Sequence, residues 1–224
     1  MIELRNVTKS YLTPNGRRYI FRDLNFRFPD GVSIGLIGRN GAGKSTLMRL
    51  LGGIDIPDRG EIRSDVNISW PLGLAGGFQS SLSARDNCKF VCRIYGTSHA
   101  DMLEKVRFVE EFAELGEYFD MPMKTYSSGM KARVGFGLSL AFDFDYYLID
   151  EAMAVGDAQF KRKSKQAFKE RMSKSKMILV SHSMNDIREY CDVVVLVGDG
   201  KATLYEDVEA GIAEYQGQIK ATRS

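Results

Sequence analysis

The fold is decided by the stretch Gly38-Arg39-Asn40-Gly41-Ala42-Gly43-Lys44-Ser45-Thr46. It fits the phosphate-binding loop pattern, in which two glycines separated by four residues precede Lys and Ser or Thr. Gly41 and Gly43 have no Cβ, so the backbone can curl and direct several N–H groups at one point. There, Lys44 would reach β- and γ-phosphates and the Ser45 hydroxyl would bind Mg²⁺. We call residues 38–46 the phosphate loop and expect them to bind a nucleotide.

The segments on either side of the phosphate loop support this interpretation. Residues 32–37 are a short apolar run typical of a buried strand, and residues 44–51 have the apolar face of a helix. The N-terminus of such a helix adds roughly half a positive charge to an anion site. The alternative, a glycine-rich turn without function, would not require this strand–loop–helix context.

Composition limits the classes of protein to consider. The 224 residues carry a net charge of +2, which is too balanced to argue for nucleic acid. No apolar run approaches the about 18 residues that a membrane helix needs, and Glu3 and Arg5 argue against a signal peptide. Three cysteines, an odd count, favour a reducing, cytosolic location. Cys88 and Cys92 are expected to be core thiols on a helix rather than half of a metal site.

The order of elements predicts an α/β fold with a mostly parallel sheet flanked by helices, an antiparallel β part and an inserted helical lobe. We expect one domain over residues 1–224, with an α/β core at 1–79 and 132–224 and the lobe at 80–131. The predicted strands cover 2–11, 19–28, 32–37, 61–64, 67–70, 146–150 and 177–180, followed by a hairpin over 193–205. The predicted helices cover 44–51, 86–95, 100–115, 128–142, 160–172, 185–190 and 208–216. The basic stretch 161–176 is interpreted as a solvated helix face, with a nucleic-acid or lipid surface as the alternative.

Two acids end an apolar strand at Asp150 and Glu151. A carboxylate at a strand end can hold Mg²⁺ opposite Ser45, usually through water. The adjacent Glu151 is placed to orient and deprotonate an attacking water. The alternative is that two acids merely begin a loop.

One further segment and two single residues can contact a phosphate or the metal. Ser127 and Ser128 open a helix with Gly129 and Met130, where small residues make either an anion site or a simple N-cap. His182 follows a strand and can reach a γ-phosphate. The amide of Gln79 can contact the metal or water and move away when the γ-phosphate is absent.

The order of these motifs resembles the ATP-binding cassette of ABC transporters, a P-loop NTPase, over essentially the whole chain. The resemblance implies that Tyr11 stacks on adenine and that Asp157 lies in a loop that crosses a dimer interface. It also implies that the signature segment 127–130 touches the γ-phosphate held by the opposite subunit. The usual signature is Leu-Ser-Gly-Gly-Gln, so this chain departs from it at Tyr126, Ser128 and Met130. The interface loop, normally Ser-Ala-Leu-Asp, reads Ala-Val-Gly-Asp here.

Residues 70–79 and 119–130 more specifically resemble the ATPase subunit of bacterial capsular polysaccharide exporters, the polysialic-acid type included. This implies ATP hydrolysis with Mg²⁺ by a homodimer that sandwiches two ATP molecules on the cytoplasmic face of the inner membrane. A separate integral-membrane permease would dock on the helical lobe near Phe90, and the polysaccharide would be handled only indirectly. Alternatives are an O-antigen or teichoic-acid exporter, a soluble ABC ATPase acting on nucleic acid or ribosomes, and a non-hydrolysing scaffold; no nucleic-acid partner is expected.

Overall fold

The computed structural model describes residues 1–72, 78–150 and 158–221. The strands within these ranges are β1 (Ile2–Thr13), β2 (Gly16–Phe28), β3 (Ile34–Ile37), β4 (Arg59–Ser64), β5 (Ile68–Leu72), β6 (Tyr146–Asp150), β7 (Lys176–Val180), β8 (Val193–Gly198) and β9 (Lys201–Tyr205). The α-helices are α1 (Lys44–Leu51), α2 (Ala84–Ile94), α3 (His99–Ala113), α4 (Ser128–Leu140), α5 (Ala158–Met172), α6 (Met184–Tyr190) and α7 (Val208–Ala221). Two short 3-10 helices, Gly116–Asp120 and Met123–Thr125, precede α4.

The strands form two sheets. An antiparallel sheet has the order β2-β1-β4, and a six-stranded sheet has the order β5-β6-β7-β3-β8-β9. In the larger sheet β3 pairs in parallel with both β7 and β8, β6 pairs in parallel with β7, and the β8–β9 hairpin is antiparallel. The carboxyl ends of β3, β6 and β7 therefore meet at one edge of the sheet. The mostly parallel sheet with an antiparallel part is the fold class that the sequence predicts.

Contacts divide the chain into two compact units. The first unit falls within Met1–Pro71, Phe144–Glu151 and Ser175–Ser224, and the second within Leu72–Asp143 and Ala152–Lys174. The core of the first unit joins both sheets to α1 through buried apolar side chains such as Phe21, Leu36, Leu47, Leu148 and Val195. β3 is buried along its whole length, as expected of a central parallel strand covered on both faces.

The second unit is helical. Ser83, Ser98 and Ser127 cap α2, α3 and α4 by accepting a hydrogen bond from a backbone N–H three residues ahead. An aromatic cluster joins three helices, because Phe112 of α3 stacks on Phe136 of α4 and meets Phe160 of α5 edge-on. These contacts hold the second half of α4, the helix that begins with the signature segment.

Several sequence interpretations are confirmed at this level. Cys88 and Cys92 are buried in the second unit, and burial raises the pKa of the Cys88 thiol, so it stays protonated. Phe160 and Phe168 of α5 are buried as expected, but the basic face is not wholly solvated, because Lys163 donates to the Phe112 carbonyl at 3.0 Å and Arg171 pairs with Asp143. No helix in the described residues is long and apolar enough to cross a lipid bilayer.

Some boundaries differ from the sequence prediction. β3 begins at Ile34 rather than at residue 32, because Ser33 pairs with Asp192 instead. The Ser33 N–H donates to the Asp192 carboxylate, and the Asp192 N–H donates to the Ser33 carbonyl. α7 continues past Gly217 to Ala221, since one exposed glycine costs a helix only about 1 kcal/mol.

Candidate functional site

Backbone geometry makes Gly43 obligatory at the end of the phosphate loop. Its φ of 107° is left-handed, and an added Cβ would lie 2.6 Å from Ile20 Cγ2 and 2.8 Å from Phe21 Cζ. Gly41 also has a positive φ, of 79°. The loop thus passes closer to β2 than any residue with a side chain would permit, and α1 begins directly after it.

The side chain of Lys44 turns back into the phosphate loop. Its Nζ donates to the carbonyl oxygens of Gly38 at 2.7 Å and Arg39 at 3.1 Å. The residue is only 9% exposed. The ammonium is therefore held inside the concave face of the loop, where phosphate groups bind in sites of this pattern.

A cavity of about 290 Å³ adjoins the phosphate loop beside Lys44, and it is formed within the first unit. Asp150 ends β6 and His182 follows β7, so parallel pairing with β3 brings both to the edge where the loop lies. The lining residues are Arg18, Ile20, Asn40, Gly41, Gly43, Lys44, Ser45, Thr46, Asp150, Val180 and His182. The structure thus places the phosphate loop, Asp150 and His182 around one space, as sheet topology requires.

The oxygen ligands at this cavity suit Mg²⁺. The Ser45 hydroxyl and the Asp150 carboxylate both line it, and hard oxygen donors are what Mg²⁺ prefers. Among the described residues no group of three or more His, Cys, Asp and Glu side chains forms a metal cage. Mg²⁺ needs no such cage, because it is usually bound by one or two protein groups together with phosphates and water.

Tyr11 is part of a polar network at the end of β1. Its hydroxyl donates to Asp55 at 2.9 Å, and the ammonium of Lys9 lies 5.1 Å from the centre of its ring. Lys9 also donates to Asp55 at 2.6 Å. Tyr11 is half-buried and does not line the cavity, but it pairs across the sheet with Arg18, which does.

In the second unit, the signature segment lies at the start of α4. Ser127 is the N-cap and accepts a hydrogen bond from Met130 N–H at 3.2 Å, so the N-cap interpretation holds. Ser127 and Ser128 are exposed, whereas Gly129 and Met130 are half-buried. The departure at Tyr126 is a packing change, because its ring is buried and its hydroxyl donates to the carbonyl of Tyr118.

The backbone of Gln79 is held by Asn87, a residue that the sequence analysis did not single out. The Gln79 N–H donates to Asn87 Oδ1 at 2.8 Å, and Asn87 Nδ2 donates to the Gln79 carbonyl at 3.1 Å. Asn87 is 1% exposed and also donates to the Ser83 carbonyl at 2.8 Å. Only its polarity at a buried helix position could have signalled this role.

Arg18 and Ile20 also line the cavity from β2, although no sequence motif marks them. The positions expected for the catalytic base, Glu151, and for the interface loop, Asp157, lie outside the described residues. Gln79 and residues 127–130 belong to the second unit, and the phosphate loop, Asp150 and His182 to the first.

Comparison with known proteins agrees with this geometry. A profile of the ABC transporter family matches residues 21–154. The chain is 58% identical over 217 residues to the polysialic acid transport ATP-binding protein KpsT of Escherichia coli, covering 96% of each. It is 46% identical over 215 residues to the capsule polysaccharide export ATP-binding protein CtrD of Neisseria meningitidis serogroup B, covering 96% of this chain and 98% of CtrD. The dimeric ATP-binding cassette MJ0796 bound to ADP and Pi has the same fold, with a TM-score of 0.70 at 22% identity over 90% of this chain and 96% of that one.

Proposed function

Because this chain belongs to the ABC transporter family of ATP-binding proteins, we propose that it is the ATP-hydrolysing subunit of a capsular polysaccharide exporter of the polysialic-acid type. The observation that carries the proposal is the near full-length similarity to KpsT together with a phosphate-loop cavity that holds Lys44, Ser45, Asp150 and His182. The similarity to CtrD also favours capsular polysaccharide over other glycans.

The phosphate loop would bind ATP through backbone amides and the ammonium of Lys44. The close approach of Gly43 to β2 supports this role, since the loop has the glycine-dependent shape that exposes backbone to a ligand. Lys44 would exchange its two carbonyl partners for β- and γ-phosphate oxygens. Bound Mg²⁺, held by Ser45, Asp150 and the amide of Gln79, would neutralise charge on the phosphates.

Hydrolysis requires a base, and we assign it to Glu151. This residue directly follows Asp150, the last residue of β6, in the sequence. A carboxylate there can orient a water and accept its proton. His182 would donate a hydrogen bond to the γ-phosphate and hold it in line for attack.

A second copy would complete each site. Residues 127–130 of one copy would contact the γ-phosphate held by the other, with Asp157 at the interface and Tyr11 stacked on adenine. Shifting an open–closed equilibrium from 1:99 to 99:1 takes about 5.5 kcal/mol, so each of two sites must supply roughly half. One or two charge-assisted hydrogen bonds, at about 1.5–3 kcal/mol each, are sufficient. Loss of the γ-phosphate would remove these bonds and open the dimer.

A separate membrane permease would use the opening and closing of the dimer to move its substrate. Binding to this permease would hold the subunit at the cytoplasmic face of the inner membrane. We propose that the permease docks on the second unit near Phe90, which is 52% exposed on α2. Ile94, one helical turn further, is 64% exposed. Apolar side chains left exposed on one helix face suit a protein partner.

The proposal is tested by deleting the gene and measuring polysaccharide at the cell surface. We expect surface polysaccharide to disappear and lipid-linked polysaccharide to accumulate inside the cell. The wild-type gene should restore export. Glu151→Gln should not, although the purified variant should still bind ATP and hydrolyse it at under about 1% of the wild-type rate.

Chemical analysis of the retained glycan separates the alternatives. A capsular polysaccharide supports the proposal, and retained O-antigen or teichoic acid would assign the subunit to a sister exporter. Unchanged surface glycans, or wild-type hydrolysis by the Glu151→Gln variant, would contradict the proposal itself. Copurification of the subunit from membranes identifies the permease.

A further inference from the structure

We infer that Arg18 of β2 is a second cationic phosphate-binding residue, facing Lys44 across the phosphate-loop cavity. The inference rests on the proposed binding of ATP at this cavity. Arg18 belongs to no phosphate-loop motif and lies 20 residues before Gly38 in the sequence. It is nevertheless one of the residues that line the cavity together with Lys44, Ser45 and Asp150.

The guanidinium of Arg18 lies directly against the phosphate loop. A Cβ built on Gly41 would be 3.5 Å from Arg18 Nη2, so the guanidinium packs on the open side of that glycine. Arg18 is exposed, and no acidic side chain in the described part of the chain forms an ion pair with it. Its five N–H donors are therefore available to an anion that enters the cavity.

The charge balance of the cavity calls for another cation. A bound triphosphate carries more negative charge than one Mg²⁺ and one ammonium can neutralise, and Asp150 adds a further carboxylate. Guanidinium is suited to the remaining charge because its planar donors match phosphate oxygens in pairs. Arg18 is the cation placed to supply it from the β2 side.

Neighbouring arginines are used differently, which singles out Arg18. A larger cavity of about 900 Å³ adjoins the first and shares Arg18, Ile20, Asn40 and Gly41 with it. Arg17 donates to Ser10 at 3.2 Å, and Arg22 lies 4.0 Å from the ring centre of Tyr19. Both line the larger cavity and neither lines the one beside Lys44. Arg22 therefore provides a matched control on the same strand.

The test compares binding of Mg²⁺-ATP and of inorganic tripolyphosphate to the full-length chain by titration calorimetry. We expect Arg18→Gln to weaken the affinity for both ligands by about five- to tenfold. This loss is smaller than that for a buried contact, because Arg18 is exposed. Arg18→Lys should recover part of the loss, since it keeps the charge but not the paired donors. Arg22→Gln should bind both ligands like wild type, and thermal unfolding should verify that every variant is folded.

Each other outcome has a distinct meaning. Unchanged tripolyphosphate affinity in Arg18→Gln overturns the inference, and a loss confined to ATP would instead place Arg18 on the base or ribose. An equal loss of affinity in Arg22→Gln would mean that any positive charge on β2 has the same effect, and this would also overturn the inference. If the wild-type chain bound neither ligand, the proposed function would fail first, which distinguishes that failure from one of Arg18 alone.

Discussion

At the scale of single residues, Lys9 shows how the first unit stabilises a nearly buried charge. Its side chain is 8% exposed, and its ammonium donates to the Asp55 carboxylate at 2.6 Å and to the Ile56 carbonyl at 2.8 Å. Burial by itself raises the pKa of Asp55, but hydrogen bonds from Lys9, Tyr11 and the Ile56 N–H together lower it by more. The pKa of Asp55 therefore lies below its ordinary value of 3.8. The same carboxylate therefore holds both a buried cation and the phenol of Tyr11.

This network predicts a pH-dependent part of the stability. A carboxyl group whose pKa is lowered by folding contributes stability above its unfolded pKa and loses it as pH falls through the folded value. We expect Asp55→Asn to lower the free energy of unfolding by about 1–3 kcal/mol at pH 7. The difference from wild type should shrink below pH of about 4, as the wild-type carboxylate becomes protonated. Urea unfolding at several pH values measures it, and a difference that stayed constant down to pH of about 2 would contradict the assignment.

At the scale of elements, α2 is tied to the segment that carries Gln79. Asn87 is on the buried face of the helix, and its side chain both accepts from and donates to the Gln79 backbone. The amide of Asn87 also contacts Met123 Sδ at 3.3 Å, next to the residues that lead into α4. Helix α2 thus holds the backbone of Gln79, the residue that we propose to sense the metal and the γ-phosphate.

The matching prediction separates turnover from nucleotide binding. Asn87→Ala removes the hydrogen bonds that this buried side chain makes to Gln79 and Ser83, so we expect the free energy of unfolding to fall by about 1–3 kcal/mol. ATP hydrolysis should fall by about tenfold or more, whereas the affinity for ATP measured without Mg²⁺ should be unchanged, because Gln79 is proposed to contact the metal and is not part of the phosphate loop. Arg93→Ala, an exposed position on the same helix, should behave like wild type in both assays. Wild-type turnover by a folded Asn87→Ala protein would show that this clamp is not needed.

Elements whose signals are local could be predicted from the sequence, and contacts between distant segments could not. The strand, loop and helix around residues 38–46 are specified by adjacent residues, and α1 begins and ends where the periodicity places it. Asn87 resembled any polar helix residue, since its partners Gln79 and Met123 lie outside α2. Arg18 resembled a solvated strand residue, since its neighbour Gly41 follows only after β2 has ended and β3 has been completed.

At the scale of the whole molecule, the two halves of the proposed catalytic site belong to different units of the chain. The phosphate loop, Asp150 and His182 line a cavity of the first unit, and the signature segment caps a helix of the second. If a second copy supplies the signature to each nucleotide, binding and dimerisation become separable. Binding reports on the first unit of one copy, and dimerisation reports on the second unit of its partner.

Gly129→Asp tests this separation. A Cβ at Gly129 would meet only Ser127 Oγ, at 3.8 Å, so the substitution fits α4 without strain and places a carboxylate beside the serine expected to contact the γ-phosphate. In a Glu151→Gln background, we expect the single variant to form stable dimers with ATP, as measured by light scattering. Adding Gly129→Asp should leave ATP affinity within about twofold but abolish dimers, because the new charge repels the partner's γ-phosphate.

The control adds the same charge elsewhere in the same unit. Gln166→Glu, on the exposed face of α5, should dimerise like the Glu151→Gln parent. Full dimerisation of the Gly129→Asp protein would mean that residues 127–130 do not meet the nucleotide of a second copy. A parallel loss of ATP affinity would mean that they serve the nucleotide of their own copy. Only intact binding without dimers is consistent with a site shared between two chains, in which ATP itself joins the two surfaces.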